Sequence, residues 1–177
     1  KYDVHLIIDE CYCGTGTTGE YFCINWDNIS PDFLFIGKTL AAGYGALGAV
    51  LTTEKIYKPI KKCGRLMHST TYQGHSLSAA AALEVQSHIN NKNFLKSVKT
   101  KGTYMMKILN SELNYLESFR EVRGRGMRFS VEHKVKNNDK FARFISEQMM
   151  KRKIFVSSKF HRTCFTPSLL LNYKEID

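Results

Sequence analysis

The chain has 177 residues, 43% of them hydrophobic and 12% aromatic, a globular composition that excludes intrinsic disorder. The Lys and Arg residues behind its formal charge of +10 lie scattered, mostly between Lys55 and Lys174, with one short cluster at Lys58–Lys62 plus Arg65. No RNP, zinc-finger or helix-turn-helix signature accompanies them, so a solvated basic surface is expected and nucleic-acid binding is not.

The apolar runs are too short to cross a bilayer, so no membrane is expected. Lys1-Tyr2-Asp3 leads straight into a strand pattern without a secretory leader. A chain that opens inside a strand reads as a piece of a longer protein, with Lys1 a cut end. The five cysteines, Cys11, Cys13, Cys23, Cys63 and Cys164, are odd in number and match no zinc spacing. They read as reduced thiols in a cytoplasmic protein, with no metal site.

Taken in order, Leu6-Ile7-Ile8 is a short apolar run that stops at Asp9, and Phe33-Leu34-Phe35-Ile36 is a second that stops at Gly37-Lys38. Such runs predict strands buried on both faces, as in a parallel sheet. In open α/β sheets the ligand crevice lies at the carboxyl ends of the strands, which puts one acid and one amine at its rim. Between them, Gly14-Thr15-Gly16-Thr17-Thr18-Gly19 resembles a phosphate loop. It is followed by Tyr21-Phe22-Cys23-Ile24 and not by an amphipathic helix, so the dinucleotide reading fails. Gly37-Lys38-Thr39 ends like a Walker A motif, but Asp32 stands where that motif needs its first glycine.

Ala41 to Ala46 predicts a small-residue turn, Leu47 to Leu51 a strand, and Thr52 to Ile60 a turn or two of helix stopped near Pro59. The loop Met67 to His75 is rich in hydroxyls and runs into an alanine-rich helix with Ser76 as its expected N-cap. Thr70 and Thr71 before that helix serve either an anion site or only a capped turn. The alanine stripe reads as a close helix-packing face. Asn90 to Asn93 is a polar break, which divides the chain into residues 1–91 and 92–177. Beyond it, Leu95, Val98, Gly102, Met105, Leu109, Leu113 and Leu116 predict a long amphipathic helix. Glu121 to Gly126 reads as a turn into a half-buried strand at Met127 to Val131. Asp139 is expected to cap a helix carrying Phe141, Phe144, Ile145 and Met149. Ile154 to Val156 and Thr163 to Thr166 read as short strands, and Tyr173 to Asp177 as the start of another helix. The second half is thus an α+β unit with helices on one face of a small sheet.

A lysine and an aspartate at two strand ends, together with a hydroxyl loop, supply the three group types that pyridoxal phosphate requires. The lysine amine condenses with its aldehyde. The carboxylate pairs with the pyridine nitrogen. The amides and hydroxyls take the phosphate.

The motifs Asp9-Glu-Cys-Tyr-Cys-Gly-Thr-Gly-Thr-Thr-Gly19, Pro31-Asp-Phe-Leu-Phe-Ile-Gly-Lys-Thr-Leu-Ala-Ala-Gly-Tyr-Gly45 and Thr70-Thr-Tyr-Gln-Gly-His-Ser76 are collinear. Arg123-Gly-Arg-Gly126 and Pro167-Ser-Leu169 follow in the same order. Together they resemble the class III pyridoxal-phosphate aminotransferases of the ornithine, acetylornithine and 4-aminobutyrate type, over the second part of that family's usual length.

The resemblance implies an α/β fold: part of the large cofactor-binding domain of a fold type I aminotransferase, followed by a small α+β C-terminal domain. It implies pyridoxal 5′-phosphate as cofactor, Asp9 on the pyridine nitrogen, Lys38 as the Schiff-base lysine and proton carrier, and Cys11 against the ring. Tyr12 stands where many members have glutamine near the cofactor hydroxyl. Thr71, with Thr70, would reach the phosphate of a neighbouring subunit's cofactor in a homodimer with a shared active site. The substrates implied are a small-molecule amino donor and an oxo or aldehyde acceptor.

Three positions depart from the family pattern. Thr17 replaces an arginine and Ser76 a proline. Cys164 stands where many members carry the arginine that takes the substrate carboxylate, and Arg162, two residues earlier, is either its substitute or a surface residue. The family's first part, with the glycine-serine phosphate cup and the ring-stacking aromatic, has no counterpart upstream of Asp9. These 177 residues are therefore expected to be catalytically incompetent alone. An aminomutase, decarboxylase or racemase using the same lysine and aspartate, and a non-catalytic remnant kept for dimerisation or binding, stand as alternatives.

Overall fold

The computed structural model describes residues 4–64, 66–135 and 139–177. Lys1, Tyr2, Asp3 and Arg65, which entered the readings of the chain start and the basic cluster, lie outside the described residues. The chain separates into two units: Lys1–Gly16 with Glu20–Leu95, and Thr17–Gly19 with Lys96–Asp177.

The first unit is built on a three-stranded sheet of β1 (Ile7–Asp9), β2 (Phe33–Ile36) and β3 (Ala49–Thr52), in that order. β1 runs parallel to β2, with Asp9 opposite Phe35, and β3 is antiparallel to β2. The parallel pair is the one expected from the two apolar runs. Burial on both faces is not observed for β1, where Ile7 is 55% exposed. Among the described residues β1 pairs only with β2, so β2, with a neighbour on each side, is the strand whose side chains are buried. Leu34 and Ile36 alternate onto one face of β2 and pack with Leu40, Ala41 and Ala82. Asp32 ties the two parallel strands together at their start, its Oδ2 accepting from Leu6 N at 2.8 Å.

Helix α1 (Glu54–Lys62) continues through Pro59, which the sequence places as its stop. Proline removes one donor, but Cys63 N still bonds to the Pro59 carbonyl at 3.2 Å. No residue of α1 is buried, so a carbonyl left without its donor carries little penalty. Helix α2 (Ser76–Ile89) is capped by His75 and not by Ser76: the His75 ring accepts from Ser78 N at 3.3 Å. Its face of Ser78, Ala82 and Ile89 is buried. Gly45 approaches so closely that a Cβ there would lie 2.8 Å from Ser78 Cα. The small-residue turn and the small helix face are therefore two sides of one contact. Gln86 fastens the same helix, donating to the Leu40 carbonyl at 2.8 Å while its oxygen accepts from the Tyr21 hydroxyl at 2.7 Å.

Helix α3 (Lys92–Leu113) opens before the division between the units and carries the second one. A four-stranded antiparallel sheet holds β4 (Phe119–Arg125), β5 (Arg128–His133), β7 (Arg162–Phe165) and β6 (Ser157–Lys159), in that order. The stretch from Glu121 to Arg125, read from sequence as part of a turn, belongs to strand β4. Its Val122 pairs with Val131, while Glu121 and Arg123 alternate onto the other face, opposite Glu132 and Ser130. The turn is only Gly126-Met127, between Arg125 and its partner Arg128. The expected strand at Ile154–Val156 is displaced to β6.

Val131, Phe129 and Thr163 are buried in this sheet, and Phe129 stacks on Phe165 with ring centres 5.4 Å apart. Helix α4 (Asp139–Lys151) has Asp139 as its first residue, inside the first turn and not at the cap. Helix α5 (Tyr173–Ile176) begins at a capping box, with Asn172 and Glu175 bonded reciprocally.

The glycine run after Asp9 finds its purpose here. Gly126 presses on Thr18, a Cβ at Gly126 falling 2.7 Å from Thr18 Cα. Gly19 lies on α3, where a Cβ would reach Lys99 Cα at 2.9 Å. Met127 N donates to the Thr17 carbonyl at 3.0 Å. Its last three residues, Thr17–Gly19, are a backbone-packing device within the second unit.

Candidate active site

The site grows from the ends of β1 and β2. Asp9 is the last residue of β1, and its Oδ1 accepts from Cys11 N at 2.9 Å. That bond, a second from the Cys11 thiol, and the charge of Lys38 hold its carboxyl below the usual carboxylate range. The group therefore stays an anion at neutral pH and can accept a proton-bearing ring nitrogen. The Cys11 thiol is pushed up in turn, chiefly by donating to Asp9.

Lys38 follows β2 across Gly37 and opens a short 3₁₀ turn, Lys38–Leu40. Its φ is +46°, in the left-handed region that non-glycine residues seldom occupy and that recurs at functional sites. Among the described residues Lys38 Nζ makes no hydrogen bond or ion pair, and Asp9 and Lys38 feel each other's charge without touching. Cys11 sits beside the lysine's strand end: a Cβ at Gly37 would lie 3.5 Å from Cys11 Sγ. Asp9, Cys11 and Lys38 are thus brought together. An anionic acceptor, an unengaged amine and a sulfur between them fit the ring and the aldehyde of pyridoxal phosphate.

Tyr12 is on the following loop, 49% exposed. Thr70 and Thr71 are exposed on the loop before α2, where the Thr70 carbonyl accepts from Gln73 N at 3.0 Å. Among the described residues neither hydroxyl bonds to Asp9 or Lys38. Arg162 begins β7 in the second unit, exposed, opposite Glu132 and on the same sheet face as Cys164.

One residue that the sequence reading passed over supports the whole loop. Glu10 is only 2% exposed. Its Oε2 accepts from Cys23 N at 2.7 Å and its Oε1 from Ile24 N at 2.6 Å. Its own backbone holds the strand end, with Glu10 N donating to Phe35 O at 2.8 Å and Gly14 N to Glu10 O at 2.9 Å. A glutamate next to the strand-end aspartate is the only local signal, since its partners lie far along the chain.

Among the described residues no group of three or more His, Cys, Asp or Glu is placed to hold a metal. None of their helices is long and apolar enough to cross a membrane.

Comparison with known proteins identifies the family. A family profile described as aminotransferase class-III matches residues 1–177. The acetylornithine/succinyldiaminopimelate aminotransferase of Buchnera aphidicola is 32% identical over the whole chain, which covers 42% of it. The gamma aminobutyrate transaminase 2 of Solanum lycopersicum is also 32% identical over the whole chain, covering 41%. An (S)-enantioselective omega-transaminase from Thermomicrobium roseum superposes on 98% of the chain with a TM-score of 0.91 at 27% identity, matching 41% of that structure.

The chain belongs to the class-III aminotransferase family, and its fold is that of the fold type I transaminases. Members of this family depend on pyridoxal 5′-phosphate. The chain spans about two fifths of the length of these full-coverage relatives.

Proposed function

We propose that the protein containing these residues transfers an amino group between a small-molecule amino donor and an oxo or aldehyde acceptor, with pyridoxal 5′-phosphate at Asp9 and Lys38. The observation that carries this reading is the ionised Asp9 and the unengaged Lys38 amine at the ends of two adjacent parallel strands. When bound, the cofactor supplies an aldehyde that condenses with amines and a protonated ring that withdraws electrons. Asp9 would accept the ring N–H and keep that proton in place. Lys38 Nζ would hold the cofactor at its aldehyde carbon and, once released, would carry the substrate proton as general base and acid. Cys11 would serve the ring face and Tyr12 the cofactor hydroxyl.

Thr71, with Thr70, serves the phosphate bound to the other subunit of a homodimer, consistent with the exposure of that loop. Residues 1–91 act as part of the cofactor-binding domain and 92–177 as the small domain, in which Arg162 is either the substitute for the family's carboxylate-binding arginine or a surface residue. The setting is the cytoplasm. Turnover is proposed for the whole protein, because the family's phosphate cup and stacking aromatic have no counterpart in these residues.

The test is borohydride reduction of the cofactor-loaded protein followed by peptide mass mapping, then incubation of unreduced protein with amino donors. The cofactor should be fixed to the Lys38 peptide, be lost in Lys38→Ala, and release an oxo product from a donor. Attachment without any oxo product would favour the aminomutase, decarboxylase or racemase chemistry. No attachment in the whole protein would sink the reading and leave a binding or dimerisation unit.

A further inference from the structure

The loop after Asp9 brings together two thiols for which the proposed transfer has no use. Cys13 and Cys23 are half-buried thiols outside any disulfide, and the Cys13 thiol donates a hydrogen bond to the Cys23 sulfur. Their meeting is built in by Glu10. Cys23 N sits on Glu10 Oε2 at 2.7 Å, and Gly14, next to Cys13, bonds to the Glu10 carbonyl at 2.9 Å. A Cβ at Gly14 would come within 2.9 Å of both the carbonyl oxygen and Oε2 of Glu10. One buried glutamate therefore fixes the backbone of Cys23 and of Gly14, the residue next to Cys13. Cys11 is engaged elsewhere, its thiol on Asp9.

We propose that Cys13 and Cys23 are a thiol–disulfide site, which closes the loop after Asp9 when the protein meets a hydroperoxide or a low-molecular-weight disulfide. Sulfurs in hydrogen-bond contact must approach to the bonding distance of about 2 Å. The Cys13 S–H donates to the Cys23 sulfur, so Cys23 is assigned as the attacking sulfur, which gives up its own proton in the first step. Neighbouring Cys23 and the Glu10 charge push the Cys13 thiol well up, so Cys13 keeps its proton until the second step.

With a hydroperoxide, the Cys23 sulfur attacks oxygen and the O–O bond breaks. A hydroxyl leaves, protonated to water or alcohol, and Cys23 becomes a sulfenic acid. The Cys13 sulfur then attacks Cys23, the S–O bond breaks, and water departs with the Cys13 proton. The two thiols lose two electrons in total and the peroxide gains them. With a disulfide oxidant, the same two attacks release two thiols through a mixed disulfide.

No Lys or Arg lies between Cys11 and Cys23, but Glu20 does. Cleavage after Glu20 therefore separates Cys13 from Cys23 unless they are bonded. The purified protein is treated with hydrogen peroxide, or with glutathione disulfide, and digested after glutamate without reductant. The expected result is an intact mass lower by about 2 Da and a linked peptide pair that separates on reduction. The link should vanish in Cys13→Ser and in Cys23→Ser, and persist in Cys11→Ser and Cys63→Ser. Because the bond removes freedom from the unfolded loop, the oxidised wild type should also melt about 5 °C higher, and neither Cys13→Ser nor Cys23→Ser should. A link that survives Cys13→Ser would overturn the proposal. So would a Cys11–Cys13 bridge within one peptide, or oxidation that ends in sulfinic acid on single cysteines.

Discussion

The carboxylate of Glu10 accepts a hydrogen bond from the backbone N–H of Cys23 at 2.7 Å, across a loop of thirteen residues. A buried acid is expensive unless its oxygens are satisfied, and here both are, by consecutive amides. We expect Glu10→Gln to keep the shape but to turn an amide N–H₂ against one of those donors. The loss should be about 2 kcal/mol, the range for hydrogen bonds to charged groups. A urea denaturation series gives the value, and limited proteolysis should place new cuts between residues 11 and 23.

Gly102 allows the closest backbone approach in the second unit. A Cβ on it would overlap the carbonyl group of Gly126. Alanine improves helix propensity by about 1 kcal/mol, but overpacking against backbone costs about 3 kcal/mol here, so Gly102→Ala should be net destabilising. Gly43 is the control: it has φ +85° with nothing within 4 Å. Gly43→Ala should cost only the conformational term, about 1–2 kcal/mol. Thermal melts of the two variants would separate steric from conformational cost.

The Asp9–Cys11 bond predicts a change in thiol chemistry. Asp9 raises the Cys11 thiol by hydrogen bond and by charge. Asp9→Asn removes the charge, so the thiol should ionise at lower pH. Alkylation of Cys11 at about pH 8, followed by peptide mass, should be several-fold faster in the variant. An unchanged rate would mean that the thiol does not sense Asp9.

His133 sets a pH dependence in the second unit. Burial holds its imidazole below the ordinary value of 6.5, outweighing the charge of Glu132. The unfolded chain therefore binds the proton first as pH falls. Stability contributed by neutral His133 is fully present above about pH 6.5 and is lost as the pH drops below it. The folded ring also bonds to Thr163 Oγ1 at 2.9 Å. His133→Gln should flatten the fall in melting temperature between about pH 7 and pH 5.

The strand-end charges were legible because their signal is local: an apolar run, then Asp9; an apolar run, then Lys38. The same locality explains what was hidden. β4 reads as a turn because only Val122 is apolar between Glu121 and Gly126, and its pairing with Val131 belongs to β5. Glu10 carries no local mark, since its amide partners are 13 and 14 residues away. The glycines at 14–19 match a phosphate loop in letters, but the pattern cannot say that Gly14 lies against Glu10, Gly16 against Ile89 and Gly19 against Lys99. His75 displaced Ser76 as the cap because an imidazole nitrogen can accept as a hydroxyl does.

Thr17–Gly19 belongs with Lys96–Asp177 although 76 residues of the other unit separate the two stretches in sequence. A gene cut at Leu95 would therefore leave the downstream half one tripeptide short. Its β4–β5 turn would expose Met127 N, whose acceptor is the Thr17 carbonyl, and the Gly126 backbone would lose the surface it rests on. Fragment complementation should reveal this asymmetry: residues 96–177 alone should exchange their Met127 amide quickly, and adding a peptide spanning residues 14–21 should slow it. The second unit is finished only by a piece of chain that is translated long before it.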